Sequence, residues 1–413
     1  MKPVYTLGCG DRFGREGNAQ LTAYIEAGKQ GVEVSPVWNK SHREHTTVHT
    51  TPDSVRVEAD NAVRSLGWDK PYHVDADHIS LNNVDGFIEA SDFFTLDVAD
   101  CIGQKAPDED IAAFVDEVIP ALGTLLLPGM NEELNISREE LERITETYLS
   151  AVQAAGRIYR HIAERKSGPI VIEVSMDETD NPQSPVELLV ILAMIAREKI
   201  PADTIAPKFS GRFNKGVDYV GDVETFALEF EQDIAVLKLA AEKFGLKNTL
   251  RLSVHSGSDK FAIYPVMNRI IKKFETGLHI KTAGTTWLEE VIGLAEAGGG
   301  GLAVAKKIYS NALSRYDELA APYATVIDID SAQLPSVEDV AGWSSEQYVR
   351  ALRHDLTCPD YNVSFRQLIH VAYKVAYELG DEFSQALEEH REIIGRNVTY
   401  NLLERHILPI FGS

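Results

Sequence analysis

Three histidines, His78, His255 and His279, each stand near the end of a short apolar run, with acidic or basic side chains close by. Neutral imidazole is a ligand for zinc, nickel, cobalt or manganese. Ligands drawn from separate segments leave coordination positions open for a substrate. One divalent cation held by the three is the expectation. The alternative makes each an ordinary hydrogen-bonded core histidine, and only their recurrence at matching places favours a shared task.

Carboxylates accompany them. In an extended Asp75-Ala-Asp-His78 segment the two aspartates share a face. Asp77, directly beside a candidate ligand, is suited to take a proton from a hydroxyl acidified by the cation, or to orient the histidine. Glu173 follows the apolar residues 170–172 and is costly to bury unless paired, ligated or protonated, which makes it the candidate acid. Asp177 and Glu178 read as solvated loop charges.

Cations gather at another segment end, where Lys208, Arg212 and Lys215 suit an anionic substrate group such as a carboxylate, with Lys260 and Lys281 adding to the same field. Singly, each is equally a solvated or salt-bridged residue, and Lys208 also has the option of a Schiff base. Ser256-Gly257-Ser258, ahead of an expected helix, offers a small-anion site with Ser256 as a contact. His42, His45 and His49 fall in a Thr-rich stretch read as a surface loop. GCGDRFG lacks the spacing of a dinucleotide fingerprint.

These residues need a scaffold that brings segment ends together. Strands are expected at 4–7, 31–37, 72–74, 94–98, 170–174, 204–209, 250–254 and 277–280, with amphipathic helices at 184–198, 222–244, 259–274 and 285–297. Strands alternating with helices make a parallel sheet. Eight of them close a TIM-type (β/α)8 barrel, whose chemistry sits where strands end. Residues 1–330 form this barrel, 109–165 a helical insertion suited to a lid or an oligomer contact, and 331–413 a helical extension packed on it.

Bulk properties narrow the partners. Forty Lys and Arg against 63 Asp and Glu give a net charge of −23, which repels nucleic acid and anionic lipid. Hydrophobic residues at 44% and charged residues at 25% describe a globular chain. The opening MKPVYTLGCGDRFG has no signal-peptide pattern, and no apolar run is long enough for a membrane span. Cys9, Cys101 and Cys358 are scattered and odd in number, which suits a reducing cytoplasm.

Six segments carry a family resemblance: GDRFGREGNAQ, HVDADHI, VIEVSMDET, APKFSGRFNKGVDYVGD, SVHSGSDKFAIYP and HIKTAGTTWLEE. In content and order they resemble the tagaturonate epimerases of hexuronate catabolism, across most of residues 1–330. The resemblance implies a divalent-metal enzyme interconverting D-tagaturonate and D-fructuronate, with a keto sugar acid as substrate; a homo-oligomer is an assembly the sequence leaves open, independently of the resemblance. It implies Asp77 as proton acceptor, Glu173 as proton donor and His78, His255 and His279 as metal ligands. A metal-dependent aldolase or ketose isomerase would use similar chemistry, whereas a non-catalytic sugar-acid binder would use the same residues only as hydrogen-bond partners.

Overall fold

The computed structural model describes residues 3–177, 179, 181–282 and 285–413. Its strands are β1 (Tyr5–Gly10), β2 (Ser35–Ser41), β3 (His73–Ile79), β4 (Phe93–Asp97), β5 (Thr124–Leu126), β6 (Glu133–Asn135), β7 (Val171–Ser175), β8 (Thr204–Ala206), β9 (Arg251–His255) and β10 (Leu278–Thr282). Eight of them close a parallel barrel in the order β1, β2, β3, β4, β7, β8, β9, β10 and back to β1, so that each neighbours the barrel strand before it in the chain. Crossover helices cover the outside, which buries both faces of every strand. The expected TIM-type barrel is therefore what forms.

Strand limits differ from expectation in ways that move the chemistry. The third strand runs to Ile79 rather than stopping at residue 74, so the whole DADH segment lies inside it. Its pairing with β4 shifts register between Ala76 and Ile79, and His78 sits there with φ of 53°. A bulge of this kind breaks the alternation of a strand, and both Asp77 and His78 consequently line the same cavity. The second strand starts at Ser35, four residues late, and leads into a short helix, His42–Thr47. The three histidines expected on a surface loop thus divide: His45 is buried against Thr50, His49 stacks on Tyr377, and His42 lines the cavity.

The 109–165 segment is no lid. Helix Arg138–Arg165 is the crossover between β4 and β7, and β5 and β6 form a two-stranded antiparallel hairpin outside the barrel. The hairpin turn packs on Phe274, the last residue of helix Tyr264–Phe274, where Gly129 lies too close for a side chain. Crossover helices run opposite to the strands, so this helix end marks the barrel floor, away from the strand ends that carry the chemistry.

The helices beyond residue 331 hold the barrel shut. Helix Arg391–Leu402 packs on both Gly17–Lys29 and Thr285–Ala297, the helices that follow β1 and β10. These flank the seam where first and last strands meet. The approach is close: a Cβ on Gly293 would stand 2.8 Å from the Ile394 Cα. A second anchor is electrostatic. Arg366 is fully buried and donates to Asp259 at 2.7 Å and to the Leu352 carbonyl at 2.8 Å, while His354 and His406 flank the same carboxylate.

Removing one partner of a buried ion pair strands the other. Arg366→Met is expected to lower unfolding free energy by about 3–5 kcal/mol in urea titrations. The double variant Asp259→Asn/Arg366→Met is expected to recover part of that loss, and equal losses for both would show the pair to be unimportant.

Candidate active site

At the centre of the barrel a single ammonium group meets three carboxylates. Lys281 on β10 places Nζ 2.8 Å from Asp77 Oδ1, 2.9 Å from Asp75 Oδ2, 3.5 Å from Glu173 Oε1 and 2.6 Å from Thr95 Oγ1. These partners come from β3, β4 and β7, so the contacts cross the barrel interior. Burial works against the charge on Lys281, but Asp75, Asp77 and Glu173 outweigh it and hold the ammonium well above the ordinary lysine range. Burial likewise raises Asp77, yet Lys281, His78 and His255 bring its carboxyl down to about 2. Asp75, deeper and crowded by Asp77 and Glu173, is pushed up to about 6, chiefly by burial.

Glu173 is fully buried and does not reach the cavity. Burial would raise it, but Lys281 and His255 hold it well below the usual range. This argues against the expected proton-donor role. Glu173 Oε1 instead lies 2.8 Å from His255 Nε2, and Thr204 and Thr95 donate to its oxygens at 2.8 and 3.2 Å. A carboxylate on one ring nitrogen fixes the tautomer and turns the other nitrogen outward.

That other nitrogen, His255 Nδ1, is buried and has no hydrogen-bond partner, although Asp177 Oδ2 lies 3.0 Å away. Asp177 is thus part of the site, in contrast to the expected solvated charge. Glu178 falls outside the described residues. The His78 ring centroid is 5.1 Å from that of His255, and His78 Nδ1 also lacks a hydrogen-bond partner, with Asp97 Oδ2 at 3.8 Å. Asp75, Asp77, Asp97, Glu173 and Asp177 are five carboxylates against the one lysine, a surplus of four negative charges before any histidine takes a proton.

His279 is elsewhere. It lies two residues before Lys281 on the same strand and therefore one layer down. Its Nδ1 is 2.8 Å from Thr6 Oγ1, its ring packs on Phe93 at 5.0 Å, and it does not line the cavity. Burial lowers it to about 3, which keeps it neutral. The three expected histidine ligands are not brought together. Among the described residues no three His, Cys, Asp or Glu side chains close into a finished cage. The two unpartnered Nδ1 atoms, the Glu173 brace and the carboxylate excess nevertheless fit a divalent cation, which His78, His255 and Asp177 could hold, with Asp97 next to them.

The cavity above has a volume of about 680 Å³ and is lined by Lys208, Arg212 and Lys215 among others. Two expected contacts do not reach it. Ser256 donates to the Lys281 carbonyl, and Lys260 is fully buried with Nζ on the carbonyls of Asn214, Val217 and Asp259. The helix expected to start at residue 259 begins at Tyr264, and the buried Ser258 hydroxyl accepts from Gly216 N–H and Lys260 Nζ and does not line the cavity. Residues not singled out by the sequence complete the wall: Arg43 in the short helix that follows the second strand, and Tyr323 and His370 from the C-terminal third.

A parallel barrel with acid–base groups and cation donors at its strand ends, below a cavity lined by basic residues, defines a class of enzyme acting on small anionic molecules. The match to the family model for UxaE, tagaturonate epimerase, extends over residues 1–407, and the chain belongs to this family of isomerases. A tagaturonate/fructuronate epimerase from Thermotoga maritima is 26% identical over 98% of this chain and 82% of its own length. The native crystal structure of fructuronate-tagaturonate epimerase UxaE from Cohnella laeviribosi shares the fold, with a TM-score of 0.81 at 24% identity over 100% of this chain and 82% of that one. A form of that protein complexed with one glycerol gives the same values.

The revised donor set has a direct check. His279→Asn is expected to keep stoichiometric manganese or zinc uptake by elemental analysis after dialysis, while His255→Ala loses it. Glu173→Gln is expected to weaken uptake about 10- to 100-fold. Loss of the metal in His279→Asn as complete as in His255→Ala would return His279 to the ligand set.

Proposed function

We propose that the chain interconverts D-tagaturonate and D-fructuronate by reversible cleavage and re-formation of one C–C bond. The observation that carries this reading is the pairing of an ionised Asp77 with Lys281 at the edge of the cavity. The names of the family and of the Thermotoga maritima relative support the substrate pair.

The two sugar acids differ at a hydroxyl-bearing carbon β to the ketone, which a proton transfer α to the carbonyl cannot invert. Asp77 takes the proton of that hydroxyl, the C–O bond becomes an aldehyde, and the bond to the α carbon breaks. Its electron pair moves to the ketone oxygen and leaves an enediolate. The aldehyde turns its other face, the C–C bond re-forms, and Asp77 returns the proton. A divalent cation held by His78, His255 and Asp177 would supply Lewis acidity for the ketone and its neighbouring hydroxyl. Lys281 keeps Asp77 ionised and fixed in place between turnovers. Glu173 fixes His255 in orientation and tautomer.

Three free thiols suit a reducing cytoplasm, and among the described residues no helix is long and apolar enough to cross a membrane.

Proton NMR of tagaturonate incubated in D2O is expected to show fructuronate without deuterium at the inverted carbon, because its C–H bond never breaks. Accumulating three-carbon fragments would indicate an aldolase, and deuterium at that carbon would exclude the cleavage route. Asp77→Asn is expected to lower kcat about 10²–10⁴-fold, and a chelator to abolish turnover until metal is restored.

A further inference from the structure

The cavity has two poles. Asp77, Asp97 and Asp177 line one side with His78 and His255, while Arg12, Arg43 and Lys215 line another. The cationic side is built in an unusual way for surface arginines and lysines. Arg12 is only 6% exposed, its backbone carbonyl accepts from Lys40 at 2.7 Å, and its guanidinium lies 4.4 Å over the ring of Tyr373. Tyr373 is itself fixed by a hydroxyl contact of 2.9 Å with Tyr323, whose ring stacks under Arg43 at 5.5 Å.

Despite its burial, Arg12 is not satisfied. Nη1 and Nε have no hydrogen-bond partner. Nε lies 3.0 Å from Glu44 Oε1, but the N–H is not directed at it. The other Glu44 oxygen is engaged by Ser41, through its backbone N–H and hydroxyl, at 3.0 and 3.1 Å. Buried guanidinium donors without acceptors are rare because each forfeits its hydration. Lys215 stands beside this group, near Gly257, whose φ of +67° keeps the opposing loop free of a side chain: a Cβ there would lie 3.3 Å from Lys215 Nζ. No carboxylate pairs with Lys215 among the described residues. Arg212, by contrast, is about half exposed and spends its charge on Asp328 at 3.0 Å.

From this arrangement we infer that Arg12 and Lys215 form the subsite for the substrate carboxylate, and that Tyr373 and Tyr323, which hold Arg12 and Arg43 in place, make it selective for a sugar acid over the neutral sugar. The inference rests on the epimerase reading and deepens it. A planar guanidinium clamped on an aromatic ring keeps its fork aimed in one direction, which suits bidentate recognition of a carboxylate. His370, buried among Arg12, Lys215 and Arg366, stays neutral, so it adds no positive charge to the pole. The carboxylate end held here lets the chain of carbons run toward Asp77, which lines the same cavity as Lys215.

The experiment compares D-tagaturonate with D-tagatose, which carries a hydroxymethyl group in place of the carboxylate. Arg12→Met is expected to raise KM for tagaturonate on the order of 100-fold, the loss of hydrogen bonds to a charged group, while kcat changes less than tenfold. Turnover of tagatose is expected to stay the same or rise. Arg12→Lys should restore part of the affinity, and Lys215→Met, which leaves the tyrosine clamp intact, should repeat the KM effect. A fall in kcat alone, or equal losses on both sugars in both variants, overturns the subsite. If the unaltered chain fails to convert tagaturonate at all, the epimerase reading fails first, and retention of tagaturonate binding in calorimetry that is lost in Arg12→Met would still support the subsite.

Discussion

The ammonium of Lys281 is the constraint on which the rest depends. Three carboxylates in the middle of a barrel would repel one another and drive two of themselves to protonate if nothing opposed them. One lysine, supplied from the last strand, keeps Asp77 and Glu173 ionised, and each then has a separate consequence. An ionised Glu173 can brace His255. An ionised Asp77 can accept a proton at the cavity wall. Such a network is a weak source of stability, because desolvating its charges offsets their attraction, but it fixes where each charge resides.

Much of this is legible in the sequence alone. Segments alternating between strand and helix patterns gave the barrel, and the polar residues that close the segments gave the majority of the groups around the cavity. What the pattern could not resolve was depth. Side chains along a strand alternate with a period of two, so His279 and Lys281 both point inward, and only one of them stands level with His255, its partner strand's last residue. The sequence ranks histidine above lysine as a metal ligand. The barrel's layers, not residue type, decide which of the two meets the cavity.

Two other misreadings have physical causes. A strand read as ending at residue 74 hides the bulge at His78, because positive φ in a non-glycine residue is imposed by tertiary context and leaves no mark on composition. Asp177 looked like a loop charge because it follows the strand by two residues, yet it folds back onto His255. The contributions of Tyr323, His370 and Tyr373 were out of reach for a simpler reason: nothing local ties residues so far along the chain to the mouth of a barrel completed before residue 300.

The clasp of helix Arg391–Leu402 over the first and last barrel helices has a temporal side. Synthesis proceeds from the N-terminus, and the eight strands are complete long before this helix exists. A nascent barrel therefore spends the translation of more than a hundred residues, from Thr282 to Arg391, with its closing seam unguarded. Two parallel edges held only by each other are the place where a stalled or truncated chain would pair with a neighbour instead of with itself.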